Sequence, residues 1–213
     1  IVDFKSKFDF RLLVDDAHGF GTLGTTGAGA GELQGCQDGI DLYFSTFAKS
    51  MASIGAFLAG PRIIIDYIRY NIRSQIFAKS LPMPIVIGNL KRLELLRSKP
   101  ELKAQLWDNV NKLQDGFRGR GFDLGNTNSP VTPVYLKVSI PETINLVVDL
   151  RENHGIFCSA VTYPVIPKGM LMLRIIPTAS HNDDDIQKTL EAFSAIREKI
   201  NSGAYLKEDL VKV

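Results

Sequence analysis

Cysteine is scarce in this chain. Cys36 and Cys158 are the only two in 213 residues, and they stand far apart without metal-ligand spacing. That argues against a metal cage and a disulfide framework, and makes a reducing cytoplasm the expected setting. Charge of one sign is missing too: 25 Lys and Arg stand against 23 Asp and Glu. Composition therefore offers no basic groove for nucleic acid and no attraction to an anionic membrane surface. No apolar run reaches transmembrane length, because Arg62, Asp66 and Arg69 interrupt the best one, and no signal-peptide pattern is read at the first residues. Internal repeats and low-complexity segments are absent. An initial methionine is lacking, and the first residues read as the tail of a helix running into a strand, so a C-terminal piece of a longer protein is expected.

What is present is apolar material, 45% of residues, enough for one sizeable core or one and a half domains. The stretch Tyr43 to Gly55 organises the rest. It reads as a strand that ends on Lys49 among Ser45, Thr46 and Ser50, with an almost uncharged run from Ser50 to Gly60 behind it. A lysine in apolar company loses solvation, its pKa falls, and its neutral amine can attack a carbonyl, while the neighbouring hydroxyls could hold a phosphate. Taken alone, such a lysine is more often a surface residue whose stem lies along apolar neighbours.

Upstream, Arg11 to Val14 reads as a short buried strand that stops at Asp15-Asp16-Ala17-His18. Carboxylates and an imidazole at the carboxyl end of a strand are where an open α/β sheet places its chemistry, although both acids could equally cap a turn before Gly19. Gly19-Phe20-Gly21-Thr22-Leu23-Gly24 matches a dinucleotide-binding pattern. The pattern is rejected because two carboxylates precede it and no helical periodicity follows; the glycines are expected to let backbone pass close to something. Ile54 to Gly60 reads as a further strand. Pro61 then opens a helix with Ile64, Ile65, Ile68, Ile72 and Ile76 on its buried face, and Ile85 to Leu96 forms a helix apolar on most sides that is buried or packs on a partner.

From Pro100 the pattern changes to an amphipathic helix closed by Gly119 and Gly121, which leads into a smaller lobe. Strands are expected over Val131 to Val138, Gly155 to Ala160 and Met170 to Ile176, with helices from Pro141 to Leu150 and from Asn182 onward. The domain division is placed at 1–98 and 99–213. Arg174 sits inside the apolar run Leu171 to Ile176, where a guanidinium needs an anionic partner: a structural ion pair or a bound carboxylate.

Lysine, carboxylate with imidazole, and arginine together suit pyridoxal phosphate, which needs an amine for its Schiff base, an acid facing its pyridine nitrogen and donors for its phosphate. Val14-Asp15-Asp16-Ala17-His18-Gly19, Thr46-Phe47-Ala48-Lys49-Ser50 and Pro164-Val165-Ile166-Pro167-Lys168-Gly169 followed by Arg174 resemble the α-oxoamine synthases, in that family's order and over nearly the whole chain. The resemblance implies an α/β fold: the C-terminal part of the large domain of an aspartate aminotransferase-like transferase, followed by a smaller α+β domain. It implies that Asp15 pairs with the pyridinium nitrogen, His18 contacts the phenolic oxygen, and Thr46 helps bind phosphate. Lys49 would be both Schiff-base lysine and α-proton base, and Arg174 would hold the substrate carboxylate. Ser80 in Ala78-Lys79-Ser80 takes the place of a residue that reaches a neighbouring subunit's phosphate, with Lys79 as the alternative, cationic contact. The family's ring-stacking histidine and part of its phosphate loop belong to an N-terminal half that this chain does not include.

The implied reaction joins an amino acid, serine or glycine, to an acyl-CoA in a homodimer with shared active sites. Lys49 to Gly55 is more similar to bacterial serine palmitoyltransferases, towards which the expectation leans. Tyr163 to Gly169 is more similar to glycine C-acetyltransferases, and 8-amino-7-oxononanoate synthase, an aminotransferase or an inert partner subunit are the alternatives.

Overall fold

A computed structural model describes residues 1–206. The chain divides into two compact units, Ile1–Lys103 and Ala104–Val213. In the first, a 3-10 turn over Val2–Ser6 precedes β1 (Leu13–Asp15), α1 (Ala30–Leu33), β2 (Leu42–Thr46) and β3 (Ala56–Ala59). The helices α2 (Arg62–Asn71), α3 (Arg73–Phe77) and α4 (Met83–Ser98) follow, and α5 (Pro100–Gly119) begins. The order in the sheet is β1-β2-β3, with β1 parallel to β2 and β3 antiparallel to it.

Three expectations for this unit need correction. The strand expected over residues 11–14 forms over Leu13–Asp15, and Leu13 is 57% exposed because β1 is the edge of its sheet. The Lys49 strand stops at Thr46: the Thr46 hydroxyl accepts from the Ala48 N–H (3.1 Å), and the Phe47 and Gly55 backbones bond (2.9 Å), turning the chain back into β3. The isoleucine stripe is not core. It breaks at Ile72, whose extended backbone separates α2 from α3, and no residue of either helix is buried. Ile64, Ile65 and Ile68 are half-buried, and Ile72 and Ile76 are 40% and 47% exposed, so no described residue covers the stripe fully. On α4, apolar on most sides as expected, Asn89 is the one buried residue.

The second unit holds the rest of α5, then β4 (Thr132–Leu136), α6 (Ile140–Glu152), β5 (Ser159–Val161), β6 (Leu171–Ile175), α7 (Asp183–Asn201) and a 3-10 turn over Ala204–Leu206. Its sheet is antiparallel, β4-β6-β5. The strand expected from Gly155 starts only at Ser159, because Gly155 adopts a left-handed φ of 68° and closes α6, with the Ile156 N–H bonded to the Leu150 carbonyl (2.8 Å). Capping boxes start α6 (Ser139 with Glu142), whose first residue, Ile140, is one before the expected Pro141, and α7 (Asn182 with Asp185), where its start was expected. The core is formed by one face of β6 with Leu146, Leu150, Leu190 and an edge-on cluster of Phe117, Phe122 and Phe193 at centroid distances of 4.8–5.8 Å.

Asp149 is 1% exposed in this core and accepts from Lys199 Nζ (2.8 Å), the Tyr205 hydroxyl (2.5 Å) and Asn153 Nδ2 (2.7 Å). Burial works against its charge, but these donors outweigh it and hold its carboxyl below the usual carboxylate range. The stability it contributes is therefore present above the unfolded value, about pH 4, and is lost as the pH falls through the lower folded value. Asp149→Asn should cost about 2 kcal/mol at pH 7 in urea unfolding. The acid-side fall of the urea midpoint should be shallower in that variant than in the native chain.

Candidate functional site

Parallel β1 and β2 end at the same edge of their sheet, with Asp15 opposite Phe44 in the register and Thr46 two residues further along. The Asp15 to His18 turn and the Thr46 to Ser50 turn both leave from that edge, the place where open sheets collect ligands. Asp15 is exposed and accepts the Ala17 N–H (3.0 Å) on Oδ1; His18 is exposed too. Lys49 lies three residues beyond β2, with Ala48 and Ser50 exposed on either side.

The apolar burial expected of Lys49 is not found among the described residues. Phe47 turns inward onto Phe57 (5.4 Å, stacked), Met51 is buried, and the three residues between them are left at the surface. Thr46 has committed its hydroxyl proton to the Gly55 carbonyl (2.9 Å). Ser80 is exposed in the link between α3 and α4, next to Lys79, whose φ is 70°.

The two adjacent acids have separate fates. Asp16 is buried, with Oδ2 accepting from the Ala30 N–H (2.7 Å) and the Tyr43 hydroxyl (3.0 Å). Burial first, then this contact with Asp16, pushes the Tyr43 hydroxyl's pKa up. The glycines do let backbone pass close. A Cβ on Gly19 would lie 2.0 Å from Asp16 Oδ1, one on Gly29 1.9 Å from Asp16 Oδ2, and one on Gly21 2.6 Å from Ser50. The loop is tied further by Glu32, which accepts from the Thr26 and Ala28 N–H groups (2.9 Å each), and by Lys103, which donates to the Gly24 and Thr25 carbonyls. Asp16 and Tyr43 were not singled out from the sequence; the signal was the pair of acids followed by glycines, with a tyrosine on the paired strand.

Beside the Lys49 turn lies an apolar cavity of about 370 Å³, lined by Phe20, Phe47, Met51, Phe57 and Leu90 among others. Neither Asp15 nor Lys49 lines it. Asn89 does, 7% exposed, with neither amide atom hydrogen-bonded among the described residues.

In the second unit, Leu171, Leu173 and Ile175 of β6 face the core, so Met172 and Arg174 stand on the opposite face. Arg174 pairs along the sheet with Pro133 and Ser159, and its Nε is buried without a hydrogen-bond partner among the described residues. The structural ion pair considered for it is not present in that set. An orphaned guanidinium nitrogen suits an anionic ligand. The donor set of the first unit fits pyridoxal phosphate in kind: an amine, an acid and an imidazole at one sheet edge. Among the described residues no cluster of His, Cys, Asp or Glu could hold a metal ion, and no helix is long and apolar enough to cross a membrane.

The profile of the aminotransferase class I and II family matches residues 1–193, and the chain belongs to that family. Among its relatives, the cysteate-C-fatty acyltransferase of Capnocytophaga ochracea is 66% identical over 205 residues, covering 96% of this chain and 49% of the relative. The solved serine palmitoyltransferase of Sphingomonas wittichii superposes with a TM-score of 0.86 at 30% identity, over 92% of this chain and 50% of that one. A high-resolution structure of SPT with a PLP internal aldimine matches at a TM-score of 0.86 and 28% identity, over 94% of this chain and 50% of that one. The chain thus spans about half the length of the relatives it matches. These findings bear out the α-oxoamine synthase resemblance and the aminotransferase-like fold.

The loop glycines provide a direct check. Gly29→Ala combines a φ of 103° with the clash on Asp16, whereas Gly35→Ala at φ 62° has nothing within 4 Å of its Cβ. Thermal unfolding should show about 1 kcal/mol lost at Gly35 and about 3 kcal/mol at Gly29.

Proposed function

We propose that the protein of which this chain is a part is a pyridoxal-phosphate-dependent acyl-CoA:amino acid C-acyltransferase, with cysteate as the amino acid and a long-chain acyl-CoA as the donor. The observation that carries the reaction class is the gathering of Asp15, His18 and Lys49 at the carboxyl edge of paired β1 and β2. The choice of substrates rests on the 66% identity to the cysteate-C-fatty acyltransferase. Bound pyridoxal phosphate supplies an electron sink for negative charge at the amino acid's α-carbon.

In this reading Asp15 would pair with the pyridine nitrogen and favour its protonated form. His18 would contact the phenolic oxygen. Lys49 would hold the cofactor and take the α-proton. Ser80 is the exposed hydroxyl available to a phosphate, whereas Thr46, with its proton on Gly55, acts mainly by shaping the Lys49 turn. Arg174 takes the substrate carboxylate on its planar fork. A homodimer is supported by the exposed apolar residues Ile63, Tyr67 and Phe77 of α2 and α3. A reducing cytoplasm suits Cys36 and Cys158, both unpaired, the latter with burial pushing its thiol up to about 11.

A second reading, serine palmitoylation as the first step of sphingolipid synthesis, is favoured by the run Lys49-Ser50-Met51-Ala52-Ser53-Ile54-Gly55 and by the serine palmitoyltransferase structure. Release of CoA thiol separates the two. Full-length protein with pyridoxal phosphate should release thiol from palmitoyl-CoA with L-cysteate; release with L-serine alone would establish the second reading. Glycine with acetyl-CoA as the productive pair would overturn both, as would keto-acid formation without thiol. Absence of a borohydride-fixed pyridoxal adduct on Lys49 would leave a structural α/β unit without a cofactor site, whereas the presence of Lys49 argues against an inert partner subunit. Lys49→Ala should lower kcat about 10³-fold or more. Arg174→Ala should raise KM for the amino acid about 100-fold, with little change for acyl-CoA.

A further inference from the structure

We propose that Asp16 is a positioning residue whose carboxylate works as a hydrogen-bonding strut, setting His18 and the Lys49 turn relative to Asp15. Each link is local and on one unit. The Asp16 backbone is locked to β2 at both ends: its N–H donates to the Phe44 carbonyl (2.9 Å), and its carbonyl accepts the Ser45 hydroxyl (3.3 Å). The same carbonyl accepts the Gly19 and Phe20 N–H groups (3.1 and 3.0 Å), which fixes the turn that contains His18.

The side chain does the remainder. Oδ2 holds the far end of the glycine loop through the Ala30 N–H and is itself held by Tyr43 of β2. Gly19 and Gly29 close on the carboxylate so tightly that a methyl group on either would overlap it. Pinned at both ends, the loop presents Gly21 against Ser50, next to Lys49, and Phe20 edge-on to Phe57 (5.1 Å), the ring on which Phe47 stacks. Displacement of the strut moves the His18 turn and loosens both contacts that border the Lys49 turn. The space around the carboxylate sets a rule for substitutions: an acceptor atom at the Oδ2 position matters, and an extra methylene does not fit.

The inference rests on the cofactor reading above, and the test keeps the two apart. In the full-length protein, pyridoxal phosphate affinity and the pH midpoint of the visible absorbance of Lys49-bound cofactor are measured alongside thermal unfolding. Asp16→Ala should weaken cofactor binding about tenfold or more and shift the pH midpoint, as loss of a supporting shell does elsewhere. Asp16→Asn, which keeps an acceptor towards Ala30 and Tyr43, should stay within about threefold of the native affinity, and Asp16→Glu, conserving charge but adding a methylene, should resemble the alanine variant. Tyr43→Phe removes one of the two donors without touching the carboxylate, and should shift the midpoint with a small change in melting; it decides the matter if Asp16→Ala does not fold. Native-like cofactor affinity and midpoint in Asp16→Ala or Tyr43→Phe, or a milder effect for Glu than for Asn, would overturn the strut. A native protein with no Lys49-bound chromophore would instead sink the cofactor reading.

Discussion

Parallel strands send their carboxyl ends the same way, and the register from Leu13↔Leu42 to Asp15↔Phe44 applies that rule to two segments nearly thirty residues apart. The acids that end one strand and the lysine that follows the other leave from a single sheet edge. An antiparallel pairing of the same segments would place them at opposite edges. Because side chains alternate between the faces with a period of two, a shift by one residue would also reverse which side of the sheet each side chain meets. The loop between the strands must therefore cover a fixed span, and its glycines, Glu32 and Lys103 tie it down.

The neighbouring acids at the end of β1 divide the work by burial. A buried carboxylate is tolerated only with donors around it, and Asp16 has the Ala30 N–H and the Tyr43 hydroxyl on one oxygen. Asp15, one residue earlier, alternates to the exposed side and accepts the Ala17 N–H. The structural acid carries the loop, and the exposed acid remains available for chemistry.

Arg174 follows the same logic in the second unit. The alternation of β6 sends Leu171, Leu173 and Ile175 into the core and leaves Arg174 on the other face, where the sheet buries its Nε without supplying an acceptor. A buried guanidinium nitrogen without an acceptor is destabilising unless something pairs with it. Asp149 shows the contrast: buried at least as deeply, and surrounded by Lys199, Tyr205 and Asn153.

Period and punctuation made much of the second unit legible. Apolar residues at helical spacing in α5 and α7, Pro141 at the start of α6, Asn182 at the start of α7, and the alternation of β6 depend on neighbours a few positions away, and these elements formed close to where expected. Composition and motif order likewise carried the family and the cofactor class. The isoleucines of α2 misled because a periodic stripe specifies that a face is apolar, not that anything covers it. The burial expected of Lys49 failed for a related reason, since its apolar neighbours Phe47 and Met51 turn away from it. The sequence by itself determined which residue types are present for the chemistry and which segments are helix or strand, since both are local properties. Only the tertiary structure decided that Asp16 and not Asp15 is the buried acid, that Thr46 gives its proton to Gly55, and that Arg174 Nε is buried without an acceptor among the described residues, because each depends on residues brought together across many positions of chain.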